Sequence, residues 1–237
     1  MMIYNEICAY CNKPMVLKGT DVGMPLKATV EHLIPHVALS RKRGNGEGDF
    51  RACKTCNNDK STLDYVIGII AKANNADDQV VIDALHKALG DGKKYKRYAS
   101  MIASANCKDG VVELSLPINS DELYKYVTYL AKGQYYKENN EYLCLKNKVI
   151  FCDLLPNQFV NYLNSSYLPE NGSLPFDDLV KNPNSEVILD GECIIWSKED
   201  SYMFVFQKGL ILIVEVLEKN NQNIALVTEK LLSLNNT

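Results

Sequence analysis

Two Cys-x-x-Cys pairs, Cys8/Cys11 and Cys53/Cys56, bracket the run Val30-Glu31-His32-Leu33-Ile34-Pro35-His36. A Cys-x-x-Cys turn holds two thiolates about 4 Å apart, the spacing one tetrahedral ion needs, so two such turns can close the shell of a structural zinc. The plainer alternative is small core residues or redox thiols, and the doubling of the motif argues against it. The stretch between the pairs, Asn12 to Ala52, is longer than a simple zinc ribbon requires, so something must fold between the two turns. The other cysteines, Cys107, Cys144, Cys152 and Cys193, lie within apolar stretches and read as small buried hydrophobes.

The enclosed run contains groups suited to phosphodiester hydrolysis, which needs a base to activate water and a cation to stabilise developing charge. Neutral His32 can accept a proton near physiological pH. Glu31 and, just past the second cysteine pair, Asn57 offer oxygens for Mg²⁺ or Mn²⁺. In an extended strand Glu31 and His32 point to opposite faces, so the strand must twist or bulge for both to reach one phosphate. Each residue also has a bland reading: Glu31-His32 as an exposed polar pair, Asn57 as a helix cap. His36 suits a structural, phosphate-contacting or metal role. Arg41-Lys42-Arg43 is the candidate for backbone phosphate contact, with Lys54 and Lys60 adding to the same surface, against the alternative of a solvated charge run.

The segments Glu31-His32-x-Ile34-Pro35 and Cys53-x-x-Cys56-Asn57-x-x-Lys60 resemble the zinc-knuckled HNH endonucleases, the ββα-metal nuclease family, over residues 7–62. The resemblance implies a β-hairpin carrying the acidic residue and the histidine, and a helix starting at the second knuckle that carries the third residue. It implies a metal-dependent endonuclease cutting DNA, with RNA as the other nucleic-acid option. His32 is then the catalytic base, Glu31 and Asn57 bind the catalytic Mg²⁺ or Mn²⁺, and zinc on Cys8, Cys11, Cys53 and Cys56 is structural. One departure stands out. The family's middle Asn, about five residues before the third cysteine, is Gly48 here, with Asp49 beside it and Asn45 upstream as the residues that could replace it by orienting His32. The acidic residue is Glu31 where many members have Asp. The competing reading is a catalytically inactive zinc module that binds nucleic acid or a partner protein.

The elements that must position these residues can be read from periodicity. Leu63, Val66, Ile67 and Ile70 recur at helical spacing. After a break at Asn74-Asn75, Val80, Val81, Ala84, Leu85, Ala88 and Leu89 repeat the pattern until Gly90. His86 on this helix carries no expected function, and Tyr95 to Ala105 reads as a third helix. Beyond residue 110 the pattern turns to strands at Val111–Pro117, Tyr142–Asp153, Glu186–Trp196, Tyr202–Gln207 and Leu210–Glu215, with a tight turn at Lys208-Gly209. A helix capped by Ser120 is expected to run to about Lys132. Ser165 to Ser185 reads as an exposed loop. Tyr124, Tyr126, Tyr129, Tyr135 and Tyr136 could offer bases a stacking surface, although packing at helix–sheet contacts is the commoner role. The segment Lys132-Gly133-Gln134-Tyr135-Tyr136 shows a weak resemblance to one found downstream of the nuclease module in some bacterial HNH proteins.

These readings give an α+β chain: an N-terminal ββα-metal HNH module with a four-cysteine zinc (1–65), a helical connector (66–108), and a mixed α+β C-terminal domain of unknown role (109–237). Length and composition support it. At 237 residues, 46% hydrophobic and 23% charged, the chain can bury a sizeable core. The net charge of −3 argues against a nonspecific nucleic-acid coat protein. Residues 1–64 carry nine Lys or Arg against seven Asp or Glu, leaving 17 against 22 in the remainder, so positive charge leans toward the N-terminal part. No apolar run approaches about 18 residues, and the first residues lack a basic-then-apolar leader, so neither a membrane span nor secretion is expected. The expected location is the cytoplasm, where thiols remain reduced. Beyond nucleic acid, a protein partner for the acidic C-terminal region is an expectation.

Overall fold

The computed structural model describes residues 2–17, 26–73, 75, 77–90, 92, 95–104, 106–108, 111–113, 115–156, 176–207 and 209–219. The chain is mixed α+β. Strands β1 (Ala28–Glu31) and β2 (Phe50–Cys53) pair antiparallel, Ala28 opposite Cys53 and Glu31 opposite Phe50. Helix α1 (Lys54–Ala73) leaves β2 directly, so the expected helix begins at the second Cys-x-x-Cys pair. Leu63, Val66, Ile67 and Ile70 form its buried stripe. A 3₁₀ turn at His36–Ala38 packs on α1, and a second at Asn45–Glu47 lies in the loop before β2.

Helices α2 (Asp78–Gly90) and α3 (Tyr95–Ala103) follow. Ala88 of α2, Tyr98 and Met101 of α3 and Ile69 of α1 close a small core of their own. Strand β3 (Asn106–Lys108) pairs with β4 (Val111–Glu113). The expected strand to Pro117 therefore stops at Glu113, and Leu114 lies outside the described residues, as do Asn74, Ala105 and Lys208.

Helix α4 (Ser120–Asn139) is longer than periodicity suggested and is capped by Asn119, not Ser120. The Asn119 side chain accepts from the Glu122 N–H at 2.8 Å, and the Glu122 carboxylate accepts from the Asn119 N–H in return. The helix runs on past the expected end near Lys132, and at Gly133 it crosses the hairpin closely. A Cβ at Gly133 would stand 2.4 Å from Leu33 Cδ2 and 3.0 Å from Phe50 Cζ.

Strands β5 (Lys148–Pro156), β6 (Ser185–Ile188), β7 (Cys193–Lys198), β8 (Ser201–Phe206) and β9 (Leu210–Glu218) form one antiparallel sheet, in the order β5-β9-β8-β7-β6. The expected strand Glu186–Trp196 is two strands. Leu189, Asp190 and Gly191 adopt left-handed φ values of 48°, 54° and 91° and turn the chain between them. A short helix α5 (Phe176–Lys181) stands where a loop was expected; residues 165–175 of that stretch lie outside the described part. Both faces of β9 are covered over Leu210–Val214, which explains the apolar run there, before the exposed Glu215: Leu210, Leu212, Val214 and Val216 face the main core, while Ile211 joins Leu179, Ile194 and Val205 on the other side.

The main core draws Leu33, Ile34 and Phe50 from the hairpin region, Ile67 from α1, Tyr126 and Leu130 from α4, and Phe204 and Leu212 from the sheet. Residue 65 falls inside α1, and this core runs through from the hairpin to the five-stranded sheet. No helix among the described residues is long and apolar enough to cross a membrane.

Candidate functional site

The first cysteine pair sits in a tight turn. Cys8 N–H donates to the Lys13 carbonyl and Asn12 N–H to the Cys8 carbonyl, each at 2.9 Å, with Asn12 left-handed at φ 56°. Asn tolerates that conformation at little cost. The second pair lies where β2 passes into α1, Cys53 ending the strand and Cys56 in the helix's first turn. All four Sγ atoms lie within 4.8 Å of one another, and Cys11 and Cys53 Sγ are 3.9 Å apart. A zinc with bonds of about 2.3 Å to four tetrahedral thiolates spaces them about 3.8 Å apart, so this cluster could hold a metal ion such as zinc.

The electrostatics fit the same picture. Bonds from the Cys56 thiol and from the Cys53 N–H, the latter at 3.3 Å, favour Cys8 as a thiolate and draw its pKa down to about 4. Burial and the Cys8 charge push Cys11 up to about 11, and the bond to Cys8, with burial, also raises Cys56. Four crowded sulfurs resist sharing several negative charges until a cation neutralises them. The same cation would clasp the N-terminal turn, the hairpin and α1 at one point.

At the far end of the hairpin, β1 delivers Glu31 and His32. The amide nitrogen of Asn57 donates to Thr29 Oγ1 and to the Val30 carbonyl, both at 2.9 Å, and so ties the first turn of α1 to β1. Its side-chain carbonyl is the atom left for a ligand. Burial, with the Arg43 charge, draws His32 down to about 4, so the ring is neutral at physiological pH. Its Nδ1 is buried and finds no hydrogen-bond partner among the described residues. The His36 ring lies 4.4 Å away between centroids. His36 Nδ1 accepts the Arg43 N–H at 3.1 Å, which leaves its Nε2 protonated in the neutral ring, a donor and not a metal ligand.

Asp49 is buried and fully engaged. Its carboxylate accepts the Leu33 N–H at 2.8 Å and binds Arg43 at 3.1 Å and Lys137 of α4 at 2.7 Å. Burial alone would raise its pKa, but the Lys137 and Arg43 charges prevail and lower it. Asp49 thus steadies the turn after His32 through the backbone, and no bond from it to the imidazole is among those described. Gly48 packs closely on β1, where a Cβ would stand 2.3 Å from Val30 Cγ1. Asn45 belongs to the second 3₁₀ turn, and its side chain lies outside the described part.

Lys60 is where the structure departs most from expectation. It is 0% exposed and does not reach a nucleic-acid surface. Its ammonium meets Glu31 at 3.0 Å and Asp64 at 2.8 Å, and donates to the carbonyls of His32 at 3.1 Å and Leu33 at 3.3 Å. Glu31, 3% exposed, is therefore engaged by Lys60 and not extended toward solvent as a free ligand. Burial pushes Glu31 up to about 7 against the pull of Lys60. Asp64 is also raised by burial, and the two carboxylates hold Lys60 charged. Arg43 is likewise drawn inward, pairing with Asp49 and bonding the Ile34 carbonyl at 3.4 Å. Arg41 pairs at the surface with Glu47 at 3.3 Å. Of the basic triplet, only Lys42 lines the cleft at this site.

These groups surround a cleft of about 560 Å³ lined by Glu31, His32, His36, Lys42 and Asn57, with Ser61, Asp64 and Tyr65 of α1 and Lys87 of α2. Ser61, Asp64 and Tyr65 were not foreseen, although they follow Asn57 at helical spacings of four, seven and eight, a pattern that was there to be read. Lys87 carries no local signal. Outside the cysteine cluster, no set of three or more His, Cys, Asp or Glu ligand atoms converges in this way among the described residues. The tyrosines of α4 do not share a stacking surface: Tyr126 and Tyr136 are buried, whereas Tyr124 is 51% exposed. No protein-family model, curated protein or solved structure matches this chain.

Proposed function

We propose that the chain is a metal-dependent endonuclease of the HNH kind, acting on DNA, with a structural zinc on Cys8, Cys11, Cys53 and Cys56. The observation that carries this reading is His32. A neutral imidazole whose buried Nδ1 has no hydrogen-bond partner among the described residues lines a cleft with Asn57, at the end of a hairpin–helix unit that a metal on the four cysteines would clasp. His32 accepts the proton of the attacking water, and a phosphate arriving beside it raises its basicity by opposite charge. His36 donates through Nε2 to a phosphate oxygen. Asn57 and Glu31 are the oxygens for Mg²⁺ or Mn²⁺, which needs only one or two protein ligands when water and phosphate complete its shell. When bound, that ion supplies charge neutralisation at the phosphate and the leaving oxygen. Glu31 reaches it only by loosening its hold on Lys60.

The Glu31–Lys60 pair favours a second reading, a non-catalytic zinc module that binds nucleic acid or a protein partner through the same unit. Supercoiled plasmid separates the two. The purified, zinc-loaded protein is expected to nick it when Mg²⁺ or Mn²⁺ is added and not without. Plasmid binding with no nicking in either metal would favour the binding module.

A further inference from the structure

Two lysines at the cleft have no acidic partner among the described residues: Lys42, from the segment after the 3₁₀ turn, and Lys87, from α2. The acids of the cleft, Glu31 and Asp64, share Lys60, which leaves one negative charge in that trio against the two of Lys42 and Lys87. The charge left over is therefore positive and comes from two different elements. Lys87 also lines an adjoining hollow of about 250 Å³, together with Val37, Ser40, Lys72 and Asp83. There the Lys72 ammonium bonds the Leu39 carbonyl at 3.1 Å, and Asp83 accepts from Gln79 at 2.8 Å. Burial and then the Lys87 charge lower the Lys72 pKa, so the two ammonium groups repel each other across this hollow. Asp83 lines the same hollow, and the Glu192 charge opposes this shift without reversing it.

We propose that Lys87 is a phosphate-binding residue at the junction of these two hollows. With Lys42 it grips successive phosphates of one nucleic-acid strand, so that α2 forms part of the binding site and not merely a connector. This rests on the nuclease reading for its substrate class, but it concerns binding, which can be measured without cleavage. Neither lysine is placed in the chemistry at His32.

The test is fluorescence anisotropy of labelled duplex DNA, single-stranded DNA and RNA oligonucleotides with zinc-loaded protein, without Mg²⁺, across a salt series from about 50 to 200 mM. Each lysine–phosphate contact contributes close to one unit to the slope of log affinity against log salt. Lys87→Gln should weaken binding about three- to tenfold and lower that slope by about one unit. Lys87→Arg should keep both, and Lys198→Gln, at the exposed end of β7, should change neither. Wild-type binding with an unchanged Lys87→Gln affinity and slope overturns the clamp and leaves the nuclease reading standing. No salt-dependent binding of any of the three probes by the wild type overturns both.

Discussion

Replacing Lys60 by Met tests the buried charge network that holds His32 in place. The ammonium is wholly excluded from solvent and lies 3.0 Å from Glu31 and 2.8 Å from Asp64. Methionine fills a similar volume but leaves two inward-facing carboxylates without a counter-ion, and the His32 and Leu33 carbonyls without their donor. Removing one partner of a buried ion pair costs about 3–5 kcal/mol, against a total stability of about 5–15 kcal/mol for a typical domain. The variant should therefore unfold at markedly lower urea. Neutralising the orphaned acids in Lys60→Met/Glu31→Gln/Asp64→Asn should recover about half of that loss or more, because an apolar or neutral set no longer strands charge. Urea titrations of the zinc-loaded proteins, followed by far-ultraviolet circular dichroism, give the midpoints and slopes. A loss under about 1 kcal/mol in the single variant, the range of ordinary surface changes, would refute the claim that this network supports the hairpin.

Metal analysis should find one zinc per chain, and Cys11→Ser should lower zinc retention on dialysis. Zinc removal should drop Tm by at least about 10 °C, since each kcal/mol is worth about 2–4 °C at this chain size; an unchanged Tm would mean that the cysteines staple nothing. Asp49 supplies the pH dependence. Its pKa is lowered in the fold, so its stabilisation is present above the unfolded carboxylate value of about 3.9 and is lost as pH falls through the lower folded value. Asp49→Asn should cost about 3 kcal/mol at neutral pH and flatten the acid limb of a Tm-against-pH series. A variant with the wild-type acid limb would show that Lys137 and Arg43 do not act through this carboxylate.

The cysteine cluster was legible because its spacing is local and one tetrahedral ion constrains all four residues at once. Helix α1 was legible because Leu63, Val66, Ile67 and Ile70 mark one face over two turns. Lys60 was not, because a lysine on a helix after a metal knuckle looks like a surface cation. Its partner Glu31 lies 29 positions upstream, and only the hairpin's pairing register brings the two together. Arg43 misled for the same reason, its partner Asp49 being turned inward by Lys137 from α4. The close approach of Gly133 to Leu33 is a tertiary fact that no local pattern encodes. The turn at Leu189-Asp190-Gly191 was missed although Asp190-Gly191 is a turn-forming pair, because the apolar residues on either side read as one continuous strand. The position of Lys87 at the cleft depends on how α2 folds back on α1, which no local pattern encodes.

The central claim is that His32 activates water in a nuclease site. Its most direct test compares phosphodiester cleavage by wild type and His32→Ala in the same Mg²⁺ or Mn²⁺ buffer, with zinc content and circular dichroism measured on the same samples. Loss of a general base is expected to slow cleavage at least about 100-fold while zinc content and fold stay unchanged. Cleavage by His32→Ala at the wild-type rate would contradict the account.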